Sequence, residues 1–142
     1  MVNIQAQMKE LFGNSCYAYC IARLFSKSND IKTLTRYVLE GWMMDYIDSD
    51  GYVSQPLKFI KTICGHQYSV TKVSIKSLAE LPDGDYIVEF KKTPTAKESH
   101  FVIANSNGVT WDPSGDSVTV KVGQPVSYRR FEWNDGLWTG KE

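Results

Sequence analysis

One cysteine of this chain stands where a protein can turn a thiol into a nucleophile. Cys16 follows a Gly-Asn-Ser segment, and an apolar pattern of helical period begins at this residue. At the first turn of a helix the backbone N–H groups lack partners and the dipole is positive, so a thiolate is favoured there. The same N–H groups can hold the oxyanion that forms when a thiolate attacks a carbonyl. The alternative is a cysteine that only packs in the core, a role that suits Cys20 better.

A histidine and an aspartate follow in positions that could complete such a site. His100 opens a predicted strand, Asp112 closes the next one, and a turn at residues 105–108 is predicted to join the two strands as a hairpin. This register leaves Asp112 opposite Phe101, and a shift of one residue pairs Asp112 with His100 directly. Neighbouring Cβ atoms across a sheet lie about 5 Å apart, so the carboxylate can reach the imidazole in either case. Asp112 would then orient His100 in a Cys-His-Asp set, whereas the alternative is an exposed histidine and an Asp-Pro turn.

The first half of the chain, which must position the cysteine, is predicted to be helical. Asn14 and Ser15 are good N-cap residues for a helix over residues 16–25. A second helix is predicted from residue 31 to near residue 47, where Asp-Ser-Asp-Gly turn chemistry follows. A third, shorter helix is predicted to be capped by Ser54, with Pro56 in its first turn, and to stop at Gly65. This half would place the nucleophile at the start of its first helix.

The second half, which must position the histidine and the aspartate, is predicted to form strands separated by turns. Its segments alternate polar and apolar residues and are rich in β-branched side chains. Residues 77–81 are predicted to form one helical turn, and residues 91–99 an exposed polar loop. The predicted strands are residues 68–75, 85–90, 100–104, 109–112, 117–122 and 126–131. Helices followed by an antiparallel sheet make an α+β fold.

Length and composition limit the class of protein. The chain has 142 residues, 42% of them hydrophobic, which fits one domain with a helical part at about residues 1–65, a sheet part at about 66–132 and a short tail at 133–142. Sixteen basic residues balance sixteen acidic residues, which argues against nucleic-acid binding. No stretch approaches the roughly 18 apolar residues of a membrane helix, and no signal-peptide pattern opens the chain. We therefore expect a cytoplasmic protein without membrane contact.

In this order, the residues resemble the papain-like cysteine peptidase superfamily, and they are most similar to the double-glycine leader peptidase domains of bacteriocin ABC exporters. The similar pieces are the helix-start cysteine, a Leu-Ala-Glu-Leu stretch before a strand, and a His-Phe-Val-Ile strand followed by a strand that ends in Asp-Pro. The resemblance implies a papain-like fold in a bacterial hydrolase, with Cys16 as nucleophile, His100 as general base and Asp112 orienting His100. It also implies a peptide or protein substrate and no cofactor.

The oxyanion hole is where the chain departs from this family. The family usually has a glutamine upstream of the cysteine, at a position that Glu10 occupies here. Gln7 and Asn14 are the candidates for the missing donor. Loss of one oxyanion donor can lower the rate by about 10²–10³. The alternative function is therefore a catalytically inactive papain-like module that binds a peptide or protein partner.

A third interpretation is a small interaction protein stabilised by zinc. Cys16 and Cys20 have the spacing of metal ligands on one helix face, and Cys64 with His66 would complete a Cys₃His site. A Cys-x-His pair across a single glycine is not a common zinc knuckle. The Cys-His-Asp interpretation therefore stands first, and it requires no metal. The sequence predicts no particular oligomeric state.

Overall fold

The computed structural model describes residues 15–115 and 117–133 of the chain. These residues form two compact units, a helical unit of residues 15–68 with Trp133, and a sheet unit of residues 69–132 apart from residue 116. None of the helices in this part of the chain is long and apolar enough to span a membrane. Helices precede an antiparallel sheet, so the fold is α+β as the sequence predicts.

The helical unit is built from helices that pack on one another. Helix α1 is Cys16–Ser26, α2 is Ile31–Met43 and α3 is Pro56–Cys64. Helix α1 contacts both α2 and α3, and consecutive residues in its first half are buried, which fixes the backbone where the helix begins. The buried apolar side chains of this unit are Ala18, Tyr19, Cys20, Ile21, Ala22, Leu34, Val38, Ile47, Phe59 and Ile60.

The end of α2 differs from the prediction. The helix ends at Met43 instead of continuing to near Ile47, because Asp45 turns the chain with a positive φ of 63°. The turn brings Ile47 back onto α2, where a Cβ on Gly41 would lie 2.8 Å from both Ile47 and Phe59. Only glycine leaves that space, so a tertiary contact ends the helix before its apolar pattern does.

The sheet unit is organised around an antiparallel sheet. Its strands are β1 (Tyr68–Ser74), β2 (Tyr86–Lys91), β3 (His100–Asn105), β4 (Gly108–Trp111) and β5 (Gln124–Trp133). Their order across the sheet is β1-β5-β2-β3-β4, so β2 lies at the centre and β4 at an edge. The buried core residues of this unit are Ile75, Leu81, Val88, Phe90, Val102, Ala104 and Tyr128.

One segment that was predicted as a strand is a short helix. Residues 117–122 show a β-branched alternation that is typical of strands, but Val118–Val122 forms helix α4. Val120 packs against the core of the sheet unit, whereas Val118 and Val122 are 60% and 65% exposed. In a strand all three valines would face the same side. Burial of one valine against the core therefore outweighs strand propensity and favours the helix.

Candidate active site

His100 and Asp112 are brought together at one end of the sheet unit. Nε2 of His100 lies 2.7 Å from Oδ1 of Asp112, a hydrogen-bond distance. Their side chains are only 12% and 8% exposed, so water competes little for this contact. A carboxylate accepts hydrogen bonds and does not donate them, so in a pair with an ionised Asp112 the proton would lie on Nε2. Nδ1 is then the ring nitrogen that could exchange a proton with another group.

A β-bulge between β3 and β4 explains how the two side chains meet. The hairpin begins in the predicted register, with Ala104 paired to Val109. The register then shifts, and Ile103 pairs with Trp111, so that Thr110 is the extra residue of β4. The hydroxyl of Thr110 donates a hydrogen bond of 3.1 Å to the carbonyl oxygen of Ile103, which stabilises the bulge.

The bulge moves Asp112 to the face of the sheet that carries His100. In the predicted register Asp112 stands opposite Phe101, whose side chain points to the other face. With the bulge, Asp112 falls opposite Val102, two residues from His100 and on the same face. The shift runs opposite to the one that would pair Asp112 and His100 directly, but the carboxylate reaches the imidazole, as predicted. The contact is instead a diagonal one between neighbouring strands.

The carboxylate of Asp112 is held by the backbone that follows it. Oδ1 accepts a hydrogen bond of 2.8 Å from the N–H of Ser114, and Oδ2 accepts one of 3.3 Å from the N–H of Ser117. The carbonyl oxygen of Asp112 accepts a third bond, of 2.9 Å, from the N–H of Gly115. Because the turn fixes the carboxylate, Asp112 can orient the imidazole that contacts it.

The third predicted residue, Cys16, is the first residue of α1 and is half-buried. The preceding Ser15 takes the N-cap position, as predicted, but its side chain makes no capping hydrogen bond. Its hydroxyl is fully buried and has no hydrogen-bond partner among the residues that the structure describes. The N-cap interaction expected from the sequence is therefore absent at Ser15, and the packing of α1 must supply the stability that a cap would add.

The predicted catalytic residues belong to the two different units. Cys16 lies in the helical unit, and His100 and Asp112 lie in the sheet unit. The candidate oxyanion donors Gln7 and Asn14 lie outside the described residues. The structure thus brings His100 and Asp112 into contact. For Cys16 it establishes the position at the start of α1.

The residues of the zinc interpretation take other roles. Cys20 is fully buried within the helical unit, and Sγ of Cys64 lies 3.9 Å from the carbonyl oxygen of His66. The ring of His66 meets Trp133 edge-on, with 5.1 Å between ring centroids. Over residues 15–115 and 117–133, no three His, Cys, Asp or Glu side chains are grouped so that they could hold a metal ion.

A second polar cluster, which the sequence analysis did not identify, lies inside the sheet unit. Glu89 of β2 is 6% exposed, and its Oε1 accepts a hydrogen bond of 2.7 Å from the hydroxyl of Ser127. Nη1 of Arg129 donates to Oγ of Ser127 at 2.8 Å. Nζ of Lys72 lies 3.7 Å from the same oxygen of Glu89. One sequence feature could have predicted this cluster: Glu89 lies within an otherwise apolar strand, and a buried carboxylate requires polar partners.

These partners keep Glu89 charged. Burial by itself would raise the pKa of Glu89. Hydrogen bonds from Ser127 and Ser99, together with two nearby cationic side chains, outweigh burial, and the pKa of Glu89 lies below its ordinary value of 4.5. Because Ser99 immediately precedes His100, the cluster also ties the start of β3 to its neighbouring strands.

Similarity to known proteins does not identify the site. No family model, no curated protein and no solved structure matches this chain. A histidine that is held by a fixed carboxylate is arranged to accept a proton from a nucleophile and to return it to a leaving group.

Proposed function

We propose that the protein is a cysteine hydrolase that acts on a peptide or a related amide. Cys16 is the nucleophile, His100 the general base and Asp112 the residue that orients His100. The observation that carries the proposal is the 2.7 Å contact between Nε2 of His100 and Oδ1 of Asp112, which orients the imidazole for proton transfer. The position of Cys16 at the start of α1 supports the choice of nucleophile.

The proposed reaction proceeds through an acyl-enzyme. Nδ1 of His100 takes the proton of the Cys16 thiol, and the thiolate sulfur attacks the carbonyl carbon of the amide. The carbonyl oxygen becomes an oxyanion, for which the backbone N–H groups at the start of α1 are the donors. The protonated His100 gives its proton to the departing amine, which leaves a thioester on Cys16. Water, deprotonated by His100, then hydrolyses the thioester, releases the acid and restores the thiol.

The papain-like class of the fold and a cytoplasmic location are parts of the same proposal. The element order supports the fold class, because a helix that begins at the nucleophile precedes a sheet with His100 at the start of one strand and Asp112 after the next. A catalytically inactive module of this fold would have the same order, and it would bind a peptide or protein without cleaving it. The reactivity of Cys16 separates these two functions.

Alkylation of the individual cysteines tests the proposal. The rate at each cysteine is followed by mass spectrometry with iodoacetamide over a range of pH, for the wild type, His100→Ala and Asp112→Asn. Near pH 6 we expect Cys16 to react about tenfold faster than Cys64, which is also half-buried and serves as internal control. His100→Ala should remove most of this difference. Asp112→Asn should reduce it, since an amide cannot stabilise the imidazolium.

Other results would decide against the hydrolase. If Cys16 reacts like Cys64 at every pH and His100→Ala has no effect, the mechanism is lost and the inactive module becomes the better interpretation. If Cys16, Cys20 and Cys64 are all protected until a chelator is added, the zinc-stabilised protein is the better one.

A further inference from the structure

An arginine reaches across strand β2 to the side chain that follows His100 in the chain. Arg129 lies on β5, whose neighbours in the sheet are β1 and β2. The Cζ atom of its guanidinium nevertheless lies 5.2 Å from the centre of the Phe101 ring on β3. A guanidinium in this position is attracted by the face of the ring. Arg129 therefore contacts the residue next to the candidate base.

Polar contacts fix the guanidinium over the ring. Nη1 of Arg129 donates a hydrogen bond of 2.8 Å to Oγ of Ser127 and lies 3.8 Å from Oε1 of Glu89. The hydroxyl of Ser127 donates to the same oxygen of Glu89 at 2.7 Å, and Glu89 is only 6% exposed. Water competes little for such buried, charge-assisted contacts. The Arg129 clamp is defined as Arg129, Ser127, Glu89 and Phe101.

The strand register places the members of the clamp side by side on one face of the sheet. Glu89 stands opposite Phe101 of β3 and opposite Ser127 of β5. Arg129 is two residues from Ser127 along β5, so its side chain leaves the sheet on the same face. His100 precedes Phe101 and points to the other face. The clamp therefore holds β3 from one face, while the candidate base contacts its carboxylate on the other.

The sheet is irregular where His100 is paired. His100 is aligned with Phe90 of β2. On the other side of β2, the register with β5 shifts at Phe90, because Val126 is an extra residue of β5. Pro125 then stands opposite Phe90 and has no N–H to donate. The strand partner of His100 is thus held less firmly by β5 than a residue in a regular ladder, and side-chain contacts matter more for the geometry there.

We propose that Arg129 is a positioning residue for the proposed active site. The clamp fixes Phe101 and with it the backbone at the start of β3, and this backbone sets the direction in which the imidazole of His100 meets Asp112. Orientation matters for a general base, because a misplacement of about 1 Å can cost about 10²-fold in rate. The effect on Cys16 rests on the proposed hydrolase function, whereas the effect on the contact between His100 and Asp112 does not.

The imidazole N–H of His100 that faces Asp112 reports on this positioning. NMR of protein with isotope-labelled histidine follows the exchange of this proton with water. The chain has only two histidines, so His100→Ala identifies the signal, and Asp112→Asn shows the exchange without the carboxylate. We expect Arg129→Met to speed the exchange about fivefold, because the ring of Phe101 loses the guanidinium that holds it.

Matched variants separate positioning from a general loss of stability. Arg130→Met replaces the next residue of β5, an exposed arginine, and should leave the exchange unchanged. Leu78→Ala removes a side chain that packs on the core of the sheet unit, and it should lower stability without changing the exchange. Phe101→Leu should reproduce the effect of Arg129→Met, and the double variant should add little to either single change. Arg129→Lys should not restore slow exchange, because lysine lacks the planar guanidinium.

Alkylation links the clamp to the proposed chemistry. Near pH 6, Arg129→Met should lower the rate at Cys16 relative to Cys64, in the same direction as Asp112→Asn. Arg130→Met should leave this ratio as it is in the wild type.

The clamp and the hydrolase fail in different ways. Wild-type exchange in Arg129→Met, recovery of slow exchange in Arg129→Lys, or an equal change in Leu78→Ala would overturn the clamp, even if the reactivity of Cys16 still depends on His100. A wild type without a protected His100 proton would also overturn it, because no imidazole would then be held in place. Reactivity of Cys16 that is independent of His100, with fast exchange in Arg129→Met, would overturn the hydrolase and leave the clamp as a structural feature.

Discussion

At the residue scale, Glu89 is a buried charged side chain that needs partners within the sheet unit. A carboxylate that leaves water loses its hydration, and polar neighbours must replace it. Oε1 of Glu89 accepts a hydrogen bond from the hydroxyl of Ser127. The same oxygen lies 3.8 Å from Nη1 of Arg129. The guanidinium also lies over the ring of Phe101, with 5.2 Å from its Cζ atom to the centroid. Side chains therefore link β2, β3 and β5 in addition to the backbone hydrogen bonds.

The substitution Glu89→Gln tests how this cluster couples folding to pH. Since the pKa of Glu89 in the folded protein lies below its ordinary value of 4.5, its charge stabilises the fold above that pH. This contribution is lost as the pH falls through the folded-state pKa. In urea unfolding at neutral and at acidic pH, we expect the wild type to lose more stability on acidification than Glu89→Gln, which has no carboxyl to titrate.

An exposed glutamate provides the control for this measurement. Glu132 lies exposed on β5, and Glu132→Gln should lose as much stability on acidification as the wild type. The same acid loss in Glu89→Gln, Glu132→Gln and the wild type would show that the cluster does not couple folding to pH.

At the scale of elements, Val118–Val122 is helical, and this conformation lets Val120 pack against the core of the sheet unit. Helix α4 is closed by hydrogen bonds from the N–H of Lys121 to the carbonyl of Ser117, and from that of Gly123 to Thr119. Helix formation over so few residues is unfavourable in isolation. Packing of Val120 on the sheet unit must therefore supply the stabilisation.

Alanine substitutions along α4 distinguish the helix from the strand that the sequence predicts. We expect Val120→Ala to lower the free energy of unfolding by about 1 kcal/mol, because it removes packed methyl groups. Val118→Ala and Val122→Ala should change it by less than about 0.5 kcal/mol, since both side chains are exposed. The measurement is urea unfolding followed by circular dichroism. Similar losses at all three positions would indicate a strand with one buried face.

At the scale of the whole molecule, apolar cores supply the stability that the zinc interpretation assigned to a metal. Each unit has its own set of buried side chains, in helices α1 to α3 and on the sheet. Within the described residues no group of three potential ligands is assembled. A structural zinc site would need such a group to convert metal binding into folding energy.

Removal of metal tests whether a bound zinc ion contributes to the stability of the fold. We expect EDTA to leave the Tm unchanged, because Cys16, Cys20, Cys64 and His66 are not grouped as metal ligands within the described part of the chain. Native mass spectrometry should find the mass of the chain without zinc. A lower Tm in EDTA, together with about one zinc per chain, would restore the zinc-stabilised interpretation.

The elements whose signals are local could be predicted from the sequence. The start of α1 at Cys16 follows from its apolar period. Helix α3 has Pro56 in its first turn and ends before Gly65, which has a positive φ of 80°, as predicted, but its N-cap is Gln55 and not Ser54. The single turn at Leu78–Glu80 is a 3₁₀ helix closed by a capping box, in which the carboxylate of Glu80 accepts the N–H of Ser77. Each of these signals involves residues only a few positions apart, so a linear pattern is sufficient to predict them.

Tertiary structure alone decided where α2 ends, that residues 118–122 are helical, and which face Asp112 occupies. Each outcome depends on a contact between residues that are distant in the chain or on different strands. Ile47 packs back on Gly41, Val120 reaches the core of the sheet unit, and the bulge at Thr110 turns Asp112 toward His100. The residue types of the site could be read from the sequence, because chemistry depends on side-chain identity. The contact between His100 and Asp112 could not, because a single inserted residue in a strand reverses the face that every later side chain occupies.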